Sequence, residues 1–137
     1  MRYLIILMFC FSISNHLFAQ TEQEVYCYII SIGIKHPDIV LKQAIYETGH
    51  FKSNIFNKRN NLFGFRQRKY IYFDTWKSCI DYYKVWQEKH YKDDTVDYYK
   101  FLTRNNFSAK NRQHYVSQLK QTRIKAKPNC LVDEKKE

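Results

Sequence analysis

Three glycines serve the whole 137-residue chain, and two of them, Gly49 and Gly64, fall inside one stretch, Leu41 to Phe73, LKQAIYETGHFKSNIFNKRNNLFGFRQRKYIYF. Glycine tolerates positive φ and close backbone approach where other residues do not, so a chain this poor in glycine has few places for tight geometry, and here two are close together. Upstream of Gly49, Val40, Leu41, Ala44, Ile45 and Thr48 recur at the spacing of one apolar helix face. At about 100° per residue, Glu47 sits roughly 90° from the centre of that face. Its carboxylate is therefore expected at the edge of a core, neither buried outright nor free in water. Downstream, Leu62 to Phe65 and Tyr70 to Phe73 are short aromatic-rich runs joined by Arg66-Gln67-Arg68-Lys69, which reads as a hairpin with a basic tip, opening at Asn60-Asn61.

Around this stretch the periodicity is helical. Thr21 with Glu24 three residues on has the spacing of a capping box, so a first helix is expected from Thr21 to Ile32, ended by Gly33. Pro37 suits the first turn of the second helix because its missing N–H would be unpaired there. Ser53 can open a helical turn in the basic connection. Trp76, Cys79, Ile80, Tyr83 and Trp86 mark a long helix from Asp74 or Thr75, its aromatics facing the core. Asp93-Asp94-Thr95 is read as the cap of a helix reaching Asn105, and a last helix is expected from Asn111 to Arg123 with Tyr115, Val116 and Leu119 inward. Residues 125–137 are charged and contain Pro128, the composition of a loose tail. The predicted fold class is mostly α with an α+β element: helices and one small β-hairpin after the second helix, in one domain over residues 20–124.

The first nineteen residues read differently. Met1-Arg2, an apolar run from Tyr3 to Phe11, and Leu17-Phe18-Ala19 before Gln20 have the layout of a secretory signal peptide cleaved after Ala19. The run is short for a membrane span, so no stable membrane insertion is expected after cleavage, and the chain is expected to be exported, periplasmic or secreted. Cleavage removes one of the 23 basic residues and none of the 13 acidic ones, lowering the formal charge of +10 by one. Such a charge favours anionic partners. Cations interleaved with aromatics at Lys69-Tyr70-Ile71-Tyr72-Phe73 would suit single-stranded nucleic acid, but export puts that partner out of reach, so no nucleic acid is expected. Cys27, Cys79 and Cys130 remain after cleavage, so at most one bridge forms within the chain. Cys79 falls in an apolar helical stripe, which leaves Cys27 with Cys130 as the candidate pair. His36, His50, His90 and His114 are scattered without zinc-ligand spacing, and three glycines cannot build a phosphate loop, so neither metal nor cofactor is expected.

Glu47 is the residue with chemistry. Cleaving a glycosidic bond requires a proton on the departing oxygen, and a carboxylic acid kept protonated by apolar neighbours delivers it. Gln43-Ala44-Ile45-Tyr46-Glu47-Thr48-Gly49, then Ser53, Asn60-Asn61-Leu62-Phe63-Gly64, Tyr72-Phe73-Asp74-Thr75-Trp76, and Ile80 with Tyr83, resemble the glucosaminidase family of bacterial peptidoglycan hydrolases over roughly Asp38 to Leu119. That family includes the endo-β-N-acetylglucosaminidase domains of autolysins and of the flagellar rod-cap hydrolase. The resemblance implies a lysozyme-like fold, peptidoglycan glycan strands as partner, a monomer, and Glu47 as the catalytic acid. Asn60, Asn61, Phe63, Tyr72 and Tyr115 are the expected substrate-binding residues. Two departures stand out. Many relatives place a tyrosine before the last helix where Phe107 lies here, leaving Tyr98, Tyr99 or Tyr115 as substitutes for its hydroxyl. No Asp or Glu lies between Glu47 and Asp74, so the hairpin cannot supply a second carboxylate. Attack by the substrate's own 2-acetamido group would not need one, and Asp74 and Asp81 are the nearest alternatives. The competing reading is a wall-binding module of the same fold that has lost turnover.

Overall fold

The computed structural model describes residues 21–105 and 111–130. The proposed signal peptide, Phe107 and residues 131–137 lie outside the described residues. Six helices follow in order: α1 Glu22–Ser31, α2 Pro37–Thr48, α3 Asn54–Arg59, α4 Trp76–His90, α5 Tyr98–Arg104 and α6 Arg112–Gln121. Most begin where the sequence provides a cap. Thr21 and Glu24 form the expected box on α1, and Thr75 with Ser78 forms another on α4. Ser53 caps α3 by accepting from the Phe56 N–H. The helix expected from Asp93 begins later. The Asp93 carboxylate accepts from the Thr95 N–H and hydroxyl, making a separate turn, and Asp97 caps α5 by accepting from the Lys100 N–H.

α2 is the central element. It packs against α1 on one side and α6 on another, with Val40, Leu41, Ala44 and Ile45 almost wholly buried. α1 also meets α4, and α5 meets α6. Ile29, Ile80, Leu102 and Leu119 close the core from the surrounding helices. At about 25 cal/mol per Å² of apolar surface removed from water, burial of these faces drives the assembly.

The expected β-hairpin is not a sheet. Among the described residues its cross-arm backbone pairing is one isolated antiparallel bridge, Arg66 with Tyr70, made by the Ile71 N–H to Phe65 carbonyl bond of 2.9 Å and the Gln67 N–H to Lys69 carbonyl bond of 3.0 Å. Side-chain amides replace the missing ladder. Asn61 donates to the Phe65 and Ile71 carbonyls at 2.8 and 3.0 Å and accepts from the Phe65 N–H at 3.0 Å, joining both arms through one side chain. Asn60, in the left-handed region at φ 50°, donates to the Phe73 and Asp74 carbonyls. Two amides thus add bonds to backbone carbonyls on both arms, and the aromatic runs remain a loop held by side chains and one short bridge.

The segment after α6, expected to be loose from Lys125 onward, is held against α1 as far as Cys130. Glu22 accepts from the Lys125 and Ala126 N–H groups, and Gln23 exchanges two hydrogen bonds with the Lys127 backbone. Cys27 and Cys130 form a disulfide with a Cα–Cα distance of 5.3 Å, the pairing read from the sequence.

Candidate active site

Glu47 occupies the last turn of α2, half-buried. The backbone there leaves the helix abruptly. Gly49, His50 and Phe51 all have positive φ, 54°, 59° and 64°, a conformation two non-glycine residues adopt only under constraint. Thr48 supplies that constraint. Its hydroxyl donates to the Ala44 carbonyl at 2.6 Å and accepts from the Phe51 N–H at 2.7 Å, while its carbonyl accepts from Lys52 and Ser53. The chain therefore folds back, and the loop after α3 returns to Glu47. Gly64 comes beside it: a Cβ there, at φ +68°, would lie 3.7 Å from Glu47 Oε2.

From the other side comes Tyr115 of α6, buried, its ring edge-on to Tyr46 at 5.6 Å and its hydroxyl near enough to the Glu47 carboxyl for each to shift the other's pKa. Burial pushes the Glu47 carboxyl above its ordinary value, and the Tyr115 hydrogen bond opposes this. The same burial, together with the Glu47 charge, drives the Tyr115 phenol far above its ordinary range, so it stays a hydrogen-bond donor. The result is a carboxyl that holds its proton more tightly than a solvated glutamate does.

Of the residues expected at the site, Glu47 and Tyr115 are brought together. Asn60 and Asn61 are occupied in holding the loop. Phe63 is buried against the Tyr83 ring at 4.4 Å, supporting the loop from behind instead of facing outward. Tyr72 is 61% exposed on the loop's outer arm. Asp81 accepts from the Tyr28 hydroxyl on α1, and Asp74 is an exposed residue just before the α4 cap. A groove of about 690 Å³ between α5 and α6, lined by Tyr99, Lys100, Arg112 and Lys120, does not include Glu47. Gly64 lies beside Glu47, as the two neighbouring glycines suggested, whereas Gln43, one helical turn earlier and wholly buried, was given no role by the sequence reading. A glutamine set among apolar residues one turn from the acid was the available signal for Gln43.

The family model for mannosyl-glycoprotein endo-beta-N-acetylglucosaminidase, the glucosaminidase model, matches residues 25–131. The chain belongs to the glucosaminidase family. Comparison with curated proteins and with solved structures gave no match. Membership places this glucosaminidase-family chain among the glycoside hydrolases of peptidoglycan glycan, and the six-helix architecture agrees with a lysozyme-like domain. The matched range extends past α6 to the disulfide-linked segment. Among the described residues, no helix is long and apolar enough to cross a membrane.

Proposed function

We propose that this chain is an exported hydrolase of the β-1,4 bonds between N-acetylglucosamine and N-acetylmuramic acid, with Glu47 as general acid. The observation that carries the reading is the setting of that carboxyl: half-buried, raised by desolvation, steadied by Tyr115 and skimmed by the Gly64 backbone. In the reaction Glu47 gives its proton to the glycosidic oxygen as the C1–O bond breaks. The carbonyl oxygen of the substrate's 2-acetamido group bonds to C1, and water then opens that ring and returns a proton to Glu47. The absence of any acid from Thr48 to Phe73 favours this route over one with a second carboxylate. Tyr72 is proposed to meet the sugar from the loop. Exposed Arg66, Arg68 and Lys69 are proposed to attract the lactyl and stem-peptide carboxylates of the wall.

The same absence supports a second reading, a module that binds peptidoglycan without turnover. Release of soluble fragments from purified peptidoglycan by the chain starting at Gln20 separates the two. Hydrolysis predicts release that Glu47→Gln lowers by about 10²-fold or more, the usual worth of a positioned acid. Binding to the insoluble wall with no release would leave the module.

A further inference from the structure

A chain of buried hydrogen bonds crosses the core and ends at Tyr115, beside Glu47, and its direction is set at the far end. The Lys35 backbone N–H donates to Gln87 Oε1 at 2.8 Å, and an N–H can only donate, so the Gln87 amide nitrogen must face the other way. That nitrogen donates to the Lys35 carbonyl and, at 2.6 Å, to the Tyr98 hydroxyl. The Tyr83 hydroxyl donates to Gln43 Oε1 at 2.6 Å, so in its 2.8 Å contact with Tyr98 the donor is Tyr98. Gln43 Nε2 in turn donates to the Tyr115 hydroxyl at 3.1 Å. One lone pair of Tyr115 is thereby occupied, so its own proton must go elsewhere than Gln43, and the Glu47 carboxyl, one turn along α2 from Gln43, is the group whose pKa Tyr115 lowers. From the Gln87–Tyr98 bond onward the donations run one way, through Tyr83 and Gln43 to Tyr115, and hydrogen bonds aligned in this way polarise one another.

We propose that Gln43 is a positioning residue: its amide, oriented by Tyr83, Tyr98 and Gln87, holds the Tyr115 hydroxyl proton on the Glu47 carboxylate. The inference rests on Glu47 being the acid of the proposed reaction only for its consequence in catalysis; the hydrogen-bond geometry stands apart from turnover. Tyr115 from α6 is the titratable group acting on Glu47, Tyr46 and Tyr83 interact with Tyr115 in turn, and the loop brings Gly64 beside the carboxyl. Among the described residues, the ion pairs are Lys35–Asp94 and Lys84–Glu88, and neither involves Glu47.

The test is a ¹³C NMR titration of the Glu47 side-chain carboxyl in the wild-type chain, Gln43→Met, Tyr115→Phe and the double variant, with the pH profile of fragment release recorded alongside. Tyr115→Phe is expected to move the Glu47 titration upward. Gln43→Met moves it upward by less, and adds nothing once Tyr115 is phenylalanine. The basic limb of the activity profile follows the same order. Tyr83→Phe, which frees the Gln43 carbonyl, gives a smaller upward shift and serves as the reporter should Gln43→Met fail to fold. A Glu47 titration unmoved by Gln43→Met in a folded chain, or by Tyr83→Phe where that is the reporter, overturns the proposal. So does a Gln43→Met shift that persists undiminished beside Tyr115→Phe. Fragment release that survives Glu47→Gln instead overturns the catalytic reading, and leaves the titration result intact.

Discussion

Glu47 is pulled two ways, and the direction of the balance has a stability consequence. Burial raises the carboxyl above its ordinary value more than the Tyr115 hydrogen bond lowers it. For a group whose folded value is raised, the stabilising contribution is complete below the unfolded value and is lost as pH rises through the folded one. Near neutrality the ionised Glu47 is therefore a cost to folding. Glu47→Gln keeps an acceptor for Tyr115 and removes that charge, so its Tm is expected to exceed wild type at pH 7, with the gap closing below about pH 4. Thermal melts of the two chains at both pH values check this, and a variant less stable at pH 7 would contradict the assigned environment. Gly64→Ala is the complementary change. The left-handed φ of +68° makes any side chain cost about 1–2 kcal/mol, and its Cβ would lie 3.7 Å from Glu47 Oε2. A lower denaturation midpoint and a fall in activity larger than the stability loss explains are expected.

The loop between α3 and α4 shows how an element can be read correctly for place and wrongly for form. It returns to Glu47 at Gly64 as the residue pattern suggested, yet Asn61 forms the cross-links a strand ladder would have formed. Asn61→Ala removes three hydrogen bonds from a residue only 2% exposed. At about 1 kcal/mol each, a loss of roughly 2–3 kcal/mol is expected by urea unfolding. Activity should drop as well, because the same loop sets the Gly64 backbone beside the acid. The helices were legible because capping boxes and apolar faces are local signals: Thr21 with Glu24, and Val40 to Thr48, sit within a few residues of each other. Glu47 at a core margin was legible for the same reason. Asn60 and Asn61 were not, because an amide that binds substrate and one that binds backbone carbonyls look alike until the loop is closed. The partners of Gln43 lie 40 and 72 residues away, on α4 and α6, beyond any periodicity.

At the scale of the whole molecule, the chain is closed on itself. The Cys27–Cys130 bridge links positions 103 apart, and the Glu22 and Gln23 side chains hold the same terminal segment to α1. In the chain-entropy view, closing a loop of about 100 residues removes unfolded-state freedom worth up to about 4.7 kcal/mol. Cys27→Ser with Cys130→Ser is therefore expected to lower Tm sharply while sparing activity at temperatures where the variant is folded, since Glu47, Tyr115 and Gly64 are held by α2, α6 and the Asn61 loop. Cys79 provides an internal reporter for the experiment. Its thiol is buried, accepts from the Leu62 N–H at 3.3 Å and is pushed up to about 12 by burial, so it is neither exposed nor ionised in the folded state. In the chain starting at Gln20, a thiol reagent should find no reactive sulfur before unfolding and one after it. With the bridge replaced by serines, Cys79 should label at lower denaturant, in step with loss of helical circular dichroism. Labelling that precedes that loss would show the α4 side of the core opening by itself, and the bridge would then be stabilising a part of the molecule and not the whole.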